Sequence, residues 1–375
     1  MRKTTLQFLG KLKPVPARFA AGVSLHSHTL HSQERLPLLD CYRRHYRLIP
    51  LLLKAAAFQH RRATGERLEL ERAFWRPPLS PGEAVALETA QIRELDLPAM
   101  VSLTDHDSIE AGLSLADAVN PSVVPVSVEW TVPFGPTFFH IGVHNLPPDR
   151  AAGIFAGLRA YTARPGARRL GELLESLSRR EDTLVVLNHP WWDEGRIGAA
   201  AHAAALRELL AAHGQWIHAL ELNGLRPWSE NAQTIALAAD IYKPYISGGD
   251  RHGAEPNACI NLTRAHSFAG FVAEVRREGL SEVAFLPQHR EPLRLRWLEA
   301  ARDILRHYPA APEHRRSWTG RFFYECADGI CRPVSELWSQ PAATLGPLLS
   351  ILRVTASRTL RPALRLAFAD AAGPR

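Results

Sequence analysis

Cysteine is scarce: four residues in 375, Cys41, Cys259, Cys326 and Cys331, none in a CxxC pair. That argues against a disulfide framework, and reduced thiols in a cytoplasm are the plain expectation. Cys326 and Cys331 flank Ala-Asp-Gly-Ile, a spacing that would let them meet across a hairpin as a disulfide or part of a structural metal site. Long hydrophobic runs are absent too. The most apolar stretch, Leu48 to Phe58, contains Pro50 and Lys54 and is far too short to span a bilayer, so no transmembrane segment is expected. The N-terminus is basic but broken by Pro14 and Pro16, and it lacks the apolar centre of a signal peptide. No internal repeat or low-complexity tract is present.

What remains is an ordinary soluble composition, 46% hydrophobic and 22% charged, long enough for one large barrel with appendages or for two domains. A formal charge of +7 and a pI near 9.5 favour an anionic ligand without choosing among phosphate ester, nucleic acid and membrane surface.

The informative stretch is Val101 to Gly112, VSLTDHDSIEAG, where an apolar strand ends in Asp105-His106-Asp107. Three ionisable side chains in a row need partners if buried, and a metal ion is one. Other apolar runs end in the same way: GVSL at His26, VVPVSV at Glu129, TLVVLN at His189, HALEL at Asn223 and PYISGG at Asp250. His26 and His28, at i and i+2 on extended backbone, point to one side and suit one metal centre or two ions close together. His140 lies on the strand Phe138 to Val143, and His252 follows Asp250 by two. Imidazole and carboxylate together are ligands of zinc, manganese or iron. The other eleven histidines read as surface or packing groups, with His31 and His202 nearest the rim.

Strand and helix patterns alternate from Pro81 to Leu286, the rhythm of a parallel sheet that could close into a barrel with its site at the carboxyl ends of the strands. Two regions depart from it. Leu36 to Ala57 reads as a basic helical segment with Arg43, Arg44, Arg47 and Lys54, inside an insertion of about residues 35–80 that is either a lid or basic surface, or a packed hairpin with solvated charges. After a barrel of residues 1–290, residues 291–375 form an extension. There Arg290 to His307 is an expected helix, Phe322 to Pro333 a hairpin, and Leu345 to Phe368 a helix carrying Arg353, Arg358, Arg361 and Arg365.

LHSHT, SLTDHDS, VPVSVEW with HIGVH beyond it, LNHP and SGGDRHG, in that order, resemble the successive motifs of the PHP (polymerase and histidinol phosphatase) superfamily over about Gly22 to His252. The resemblance implies a distorted seven-stranded (β/α) TIM-like barrel, two or three divalent ions, and hydrolysis of phosphate esters by a metal-bound hydroxide. It matches His26, His28, His106, His140, His189, Asp250 and His252 to metal ligands and Glu129 to the carboxylate bridging the ions. TDHDSIEAG and the short Glu129 to His140 interval are most similar to the small stand-alone phosphoesterases of nucleotides and short oligonucleotides. Two positions depart from the family pattern: Ser24 stands where an acid is usual, and the ligand expected after His28 falls at Gln33 or Glu34, of which Glu34 is the better oxygen donor.

Roles follow. Asp105 would orient a ligand histidine, and His252 or a metal-bound water would protonate the leaving alcohol beside Asp250. Arg226, Arg251 and Asn223 are candidate phosphate contacts, although each arginine could equally form a structural ion pair. Trp191 and Trp192 could stack on a base or simply pack. The reading is therefore a phosphomonoesterase or nucleotidase. The alternatives are a 5'-3' exonuclease on short single-stranded nucleic acid and a non-catalytic metal-binding scaffold.

Overall fold

Runs of small and branched apolar residues, buried from both faces, build the sheets of this chain, here described from a computed structural model covering residues 3–36, 48–116, 120, 123–338, 346, 350 and 359–368. In chain order the strands are β1 (Lys3–Phe8), β2 (Ala21–Leu25), β3 (Glu34–Arg35), β4 (Ala73–Trp75), β5 (Ala99–Ser102), β6 (Val126–Phe134) and β7 (Thr137–Leu146). Then come β8 (Leu184–Leu187), β9 (Ala219–Asn223), β10 (Tyr245–Gly248), β11 (Cys259–Thr263), β12 (Leu280–Phe285), β13 (Phe322–Glu325) and β14 (Cys331–Pro333). The chain divides into two units, one built on Met1–His31 and Leu79–Glu291, the other on Ser32–Pro78 and Pro292–Asp370.

The first unit holds two five-stranded sheets, ordered β1-β12-β11-β2-β5 and β10-β9-β8-β7-β6. Both are mixed: β2 runs parallel to β5 and β8 to β9, whereas β11 opposes β2 and β12, and β7 opposes β6 and β8. The expectation of an alternating parallel sheet closed as a (β/α) barrel is corrected accordingly to a mixed α/β architecture. Among the described residues no continuous ladder closes the two sheets. They meet through isolated bridges, Ser27 with Arg251 and His106 with Glu129. The cause is local. Gly135, at φ 56°, and Pro136 turn β6 straight back into β7 as a tight hairpin, leaving no room for a crossover helix.

Period-two alternation decides which groups face inward. On β6, Val128, Trp130 and Val132 pack outward with Ile141 and Val143 of β7 under the helices Pro148–Ala163, Ala167–Ser178 and Ala199–His213. Glu129 and His140 must then face the opposite side. On β9 the outward Leu220 joins the same cluster, so Glu221 also points inward. Ala21, Val23 and Leu25 of β2 share a core with Leu184, Val186, Ala219, Ile246 and Phe268.

The second unit joins the insertion to the C-terminal extension in one antiparallel sheet, ordered β14-β13-β4-β3. Phe74 pairs with Phe323 and Trp75 with Phe322, ring centroids 5.1 Å and 6.1 Å apart. Trp318, Val334 and Trp338 form a core against which Ala56 of the helix Leu48–Thr64 packs. Arg321, buried, donates to the carbonyls of Ile304, Arg306, Arg315 and Arg316. The helix expected from Leu36 begins at Leu48 among the described residues; Arg43, Arg44 and Arg47 lie outside them. Arg353 and Arg358 also lie outside, and of the last expected helix Arg361–Ala367 is described. Cys326 and Cys331 are thiols, not a disulfide. No described helix is long and apolar enough to cross a membrane.

Candidate metal centre

Glu129 is the hub. Fully buried, it turns one carboxylate oxygen, Oε2, to His26 at 2.9 Å, His106 at 3.3 Å and His28 at 3.4 Å. The other, Oε1, accepts from Asn188 Nδ2 at 2.9 Å and faces His189 at 3.1 Å and His140 at 3.6 Å. Asp250 Oδ1 lies 3.6 Å from His26, 3.5 Å from His28 and 3.7 Å from His252. The structure thus brings His26, His28, His106, Glu129, His140, His189, Asp250 and His252 together, Glu129 and His140 from within β6 and β7 and the others from just beyond the ends of β2, β5, β8 and β10. Backbone conformation is part of how it does so. His26 (φ 65°), His189 (φ 25°) and Asp250 (φ 53°) occupy the left-handed region, which costs about 1–3 kcal/mol at each non-glycine position and is held by the surrounding bonds.

The electrostatics fit a cation. Burial works against charging His26, yet Glu129, Glu221 and Asp250 hold its pKa well above the usual imidazole value. Burial likewise opposes ionisation of Glu129 and Asp250, and the neighbouring histidines, His26 foremost, hold both carboxyls well below the carboxylate range. His140 is pushed far down, chiefly by burial. Carboxylates kept ionised beside imidazoles, with a proton on His26 that a cation would replace, are the donor set of zinc, manganese or iron. The triads His26–His189–Asp250, His26–His28–Glu129 and His106–Glu129–His140 each offer ligand atoms within 4.8 Å of one another, close enough to converge on an ion with small side-chain shifts.

Some candidate residues have other work. Asp105 accepts from the Thr29 backbone N at 2.5 Å and from Thr29 Oγ1 at 2.7 Å, tying the second motif to the first. Asn223 is buried and donates to Glu221 Oε2 at 3.1 Å and Asp250 Oδ2 at 3.2 Å, so it aims carboxylates. Arg226 stacks over Trp192 at 3.8 Å and lies 3.8 Å from Asp250 Oδ2. Arg251 is turned to Glu88, 3.2 Å away, the structural ion pair that the sequence left open. Trp191 packs on the core. Glu34, the expected oxygen ligand, falls in the second unit, buried on β3, and accepts from Ser32 Oγ at 2.6 Å, a bond compatible with that role.

Glu221 and Asn188 escaped the sequence reading. Glu221 Oε1 lies 2.5 Å from His26 Nδ1, and Oε2 accepts from the His189 backbone N at 2.8 Å. A hydrogen bond from Nδ1 leaves His26 Nε2 with the lone pair a metal needs. The missed signal was a carboxylate on the inward side of the apolar strand ALELN. The fit is tight, since a Cβ on Gly248 would overlap the Glu221 carboxylate.

No family model matches the sequence, and no curated protein does. Among solved structures, PsfC from Pseudomonas syringae PB-5123 aligns at 16% identity over 72% of this chain and 93% of its own, with a TM-score of 0.40. An amidohydrolase from Chromobacterium violaceum, with bound sulfate and no metal, aligns at 19% over 47% and 83%, TM-score 0.32. A candidate metal-dependent phosphoesterase from Bifidobacterium adolescentis aligns at 17% over 54% and 92%, TM-score 0.33. Likeness at these TM-scores decides nothing about function.

Proposed function

We propose that this chain hydrolyses phosphate esters, a phosphomonoester or nucleotide, using two or three divalent ions held by His26, His28, His106, Glu129, His140, His189, Asp250 and His252. The observation that carries this reading is Glu129, a fully buried carboxylate faced by five imidazoles within 3.6 Å. The order of the PHP-like motifs supports the choice of phosphate esters. Bound there, the ions would activate water near neutral pH and neutralise phosphoryl oxygens.

The chain's own groups supply the rest. Glu221 and Asn223 keep His26 and Asp250 aimed at the cluster. His252 commits Nδ1 to the Asp250 carbonyl at 2.9 Å, so Nε2 is the atom it would offer to an ion, and the proton for a departing alcohol would then come from metal-bound water. Arg226, held flat on Trp192, presents a guanidinium beside Asp250 and is the candidate phosphate contact. A second reading, cleavage of short single-stranded nucleic acid, is favoured by the cation excess of the second unit's sequence, 22 Lys and Arg against 12 Asp and Glu.

Metal-free protein resupplied with manganese, zinc or iron should turn over a phosphomonoester, with His106→Ala and Asp250→Ala each costing at least about 100-fold. Preference for an oligonucleotide, with binding that falls steeply with salt, would favour the second reading. Bound metal without turnover on any phosphoester would leave the non-catalytic scaffold.

A further inference from the structure

The two ligand pairs share a form, His26-Ser27-His28 and Asp250-Arg251-His252, and in each the middle residue turns its side chain away from the ligands. Both middle residues land on one carboxylate. Ser27 Oγ donates to Glu88 Oε1 at 2.7 Å, and Arg251 Nε lies 3.2 Å from the same oxygen. Asn257 Nδ2 adds a bond to Glu88 Oε2 at 3.3 Å and another to Ser24 Oγ at 3.1 Å. Glu88 is fully buried, with Ser27, Arg251 and Asn257 nearly so.

The backbones of the two pairs are joined as well. Ser27 and Arg251 form an isolated parallel bridge, Asp250 N donates to the His26 carbonyl at 2.7 Å, and His28 N to the Arg251 carbonyl at 2.8 Å. Glu88 stands on a firm base. Its helix, Pro81–Arg93, begins with a capping box at Ser80 and Glu83, and Gln91 grips the backbone N and O of Asn257, both at 2.9 Å.

We propose that Glu88 is a positioning residue for the metal centre, holding the backs of both ligand pairs in one register and neutralising Arg251 so that its charge does not compete with a bound ion. The proposal rests on the reading of those pairs as metal ligands. A buried ion pair serving stability alone is the competing account, and it makes a different prediction. It would lower the stability of the metal-free protein and leave the affinity of folded molecules for metal unchanged.

Cobalt(II) titration of the full-length metal-free protein separates the two, read by visible absorption and by affinity, with circular dichroism to count folded molecules. Glu88→Gln should weaken cobalt binding by about 10–100-fold and alter the absorption bands. Ser27→Ala removes one arm without stranding a charge and should shift the bands in the same sense with a smaller loss of affinity. Wild-type bands and affinity in folded Glu88→Gln, with a lower melting temperature alone, would overturn the proposal. If Glu88→Gln does not fold, Ser27→Ala decides, and wild-type bands there would overturn it. Wild-type protein that binds no cobalt would instead overturn the reading of the metal centre itself.

Discussion

The two units bury charge by opposite means. In the first, over Met1–His31 and Leu79–Glu291, 22 Lys and Arg stand against 26 Asp and Glu, and the buried carboxylates Glu129, Asp250 and Glu221 converge on histidines. In the second, with its excess of arginine, the buried Arg321 turns both terminal nitrogens to four backbone carbonyls, and Phe74 stacks on Phe323. Burial foremost, helped by Arg315 and Arg306, pulls Arg321 down to about 10. The lesson is what each arrangement leaves over. A guanidinium turned to carbonyls asks for no further ion, whereas ionised carboxylates converging on imidazoles attract a cation.

The sharpest way to break this contrast is Glu129→Gln. It keeps the shape and removes the hub charge, and should abolish metal retention and lower turnover by at least about 1,000-fold, checked by elemental analysis and initial rates. Arg321→Met tests the other side. Four stranded carbonyls should cost about 3 kcal/mol of stability, visible in urea unfolding, and an unchanged midpoint would show that Arg321 is idle. Gly142→Ala comes next. Its Cβ would meet Asn188 Oδ1 and His144 Nε2, each at 2.8 Å, and the overpacking should cost about 1–3 kcal/mol while displacing a donor to Glu129.

The smallest effect concerns a histidine away from the carboxylates. His218 Nδ1 accepts from the Val185 backbone N at 2.9 Å, and burial, helped by Arg276 and Lys243, pushes its pKa down to about 3. An unfolded His218 would titrate near about 6.5, so the folded form binds its proton less readily. Its contribution is present above pH of about 6.5 and is lost as pH falls toward 3. A His218→Gln variant should show a flatter decline of urea midpoint over that window, and parallel curves would contradict the assignment.

Much of the site was legible because it follows from period two and strand ends: polar residues closing apolar runs had to share a rim. Glu221 was missed inside such a run, where a single carboxylate resembles an outward-facing residue until Leu220 is seen to face the helices. The fold was less legible. β11 and β1 lie outside the strand–helix rhythm, and the hairpin at Gly135 replaces a crossover with two residues. Nothing local tells Phe74 that its partner is Phe323, because that pairing depends on contacts far apart in sequence.

The most direct test is the stoichiometry and location of bound metal: a crystal of protein loaded with manganese or zinc, its ions placed by anomalous scattering. The account predicts at least two ions within bonding distance of Glu129, Asp250 and the six histidines, with the Glu129 carboxylate between them. Full loading with ions elsewhere, or a Glu129 site that stays empty at saturating metal, would contradict it.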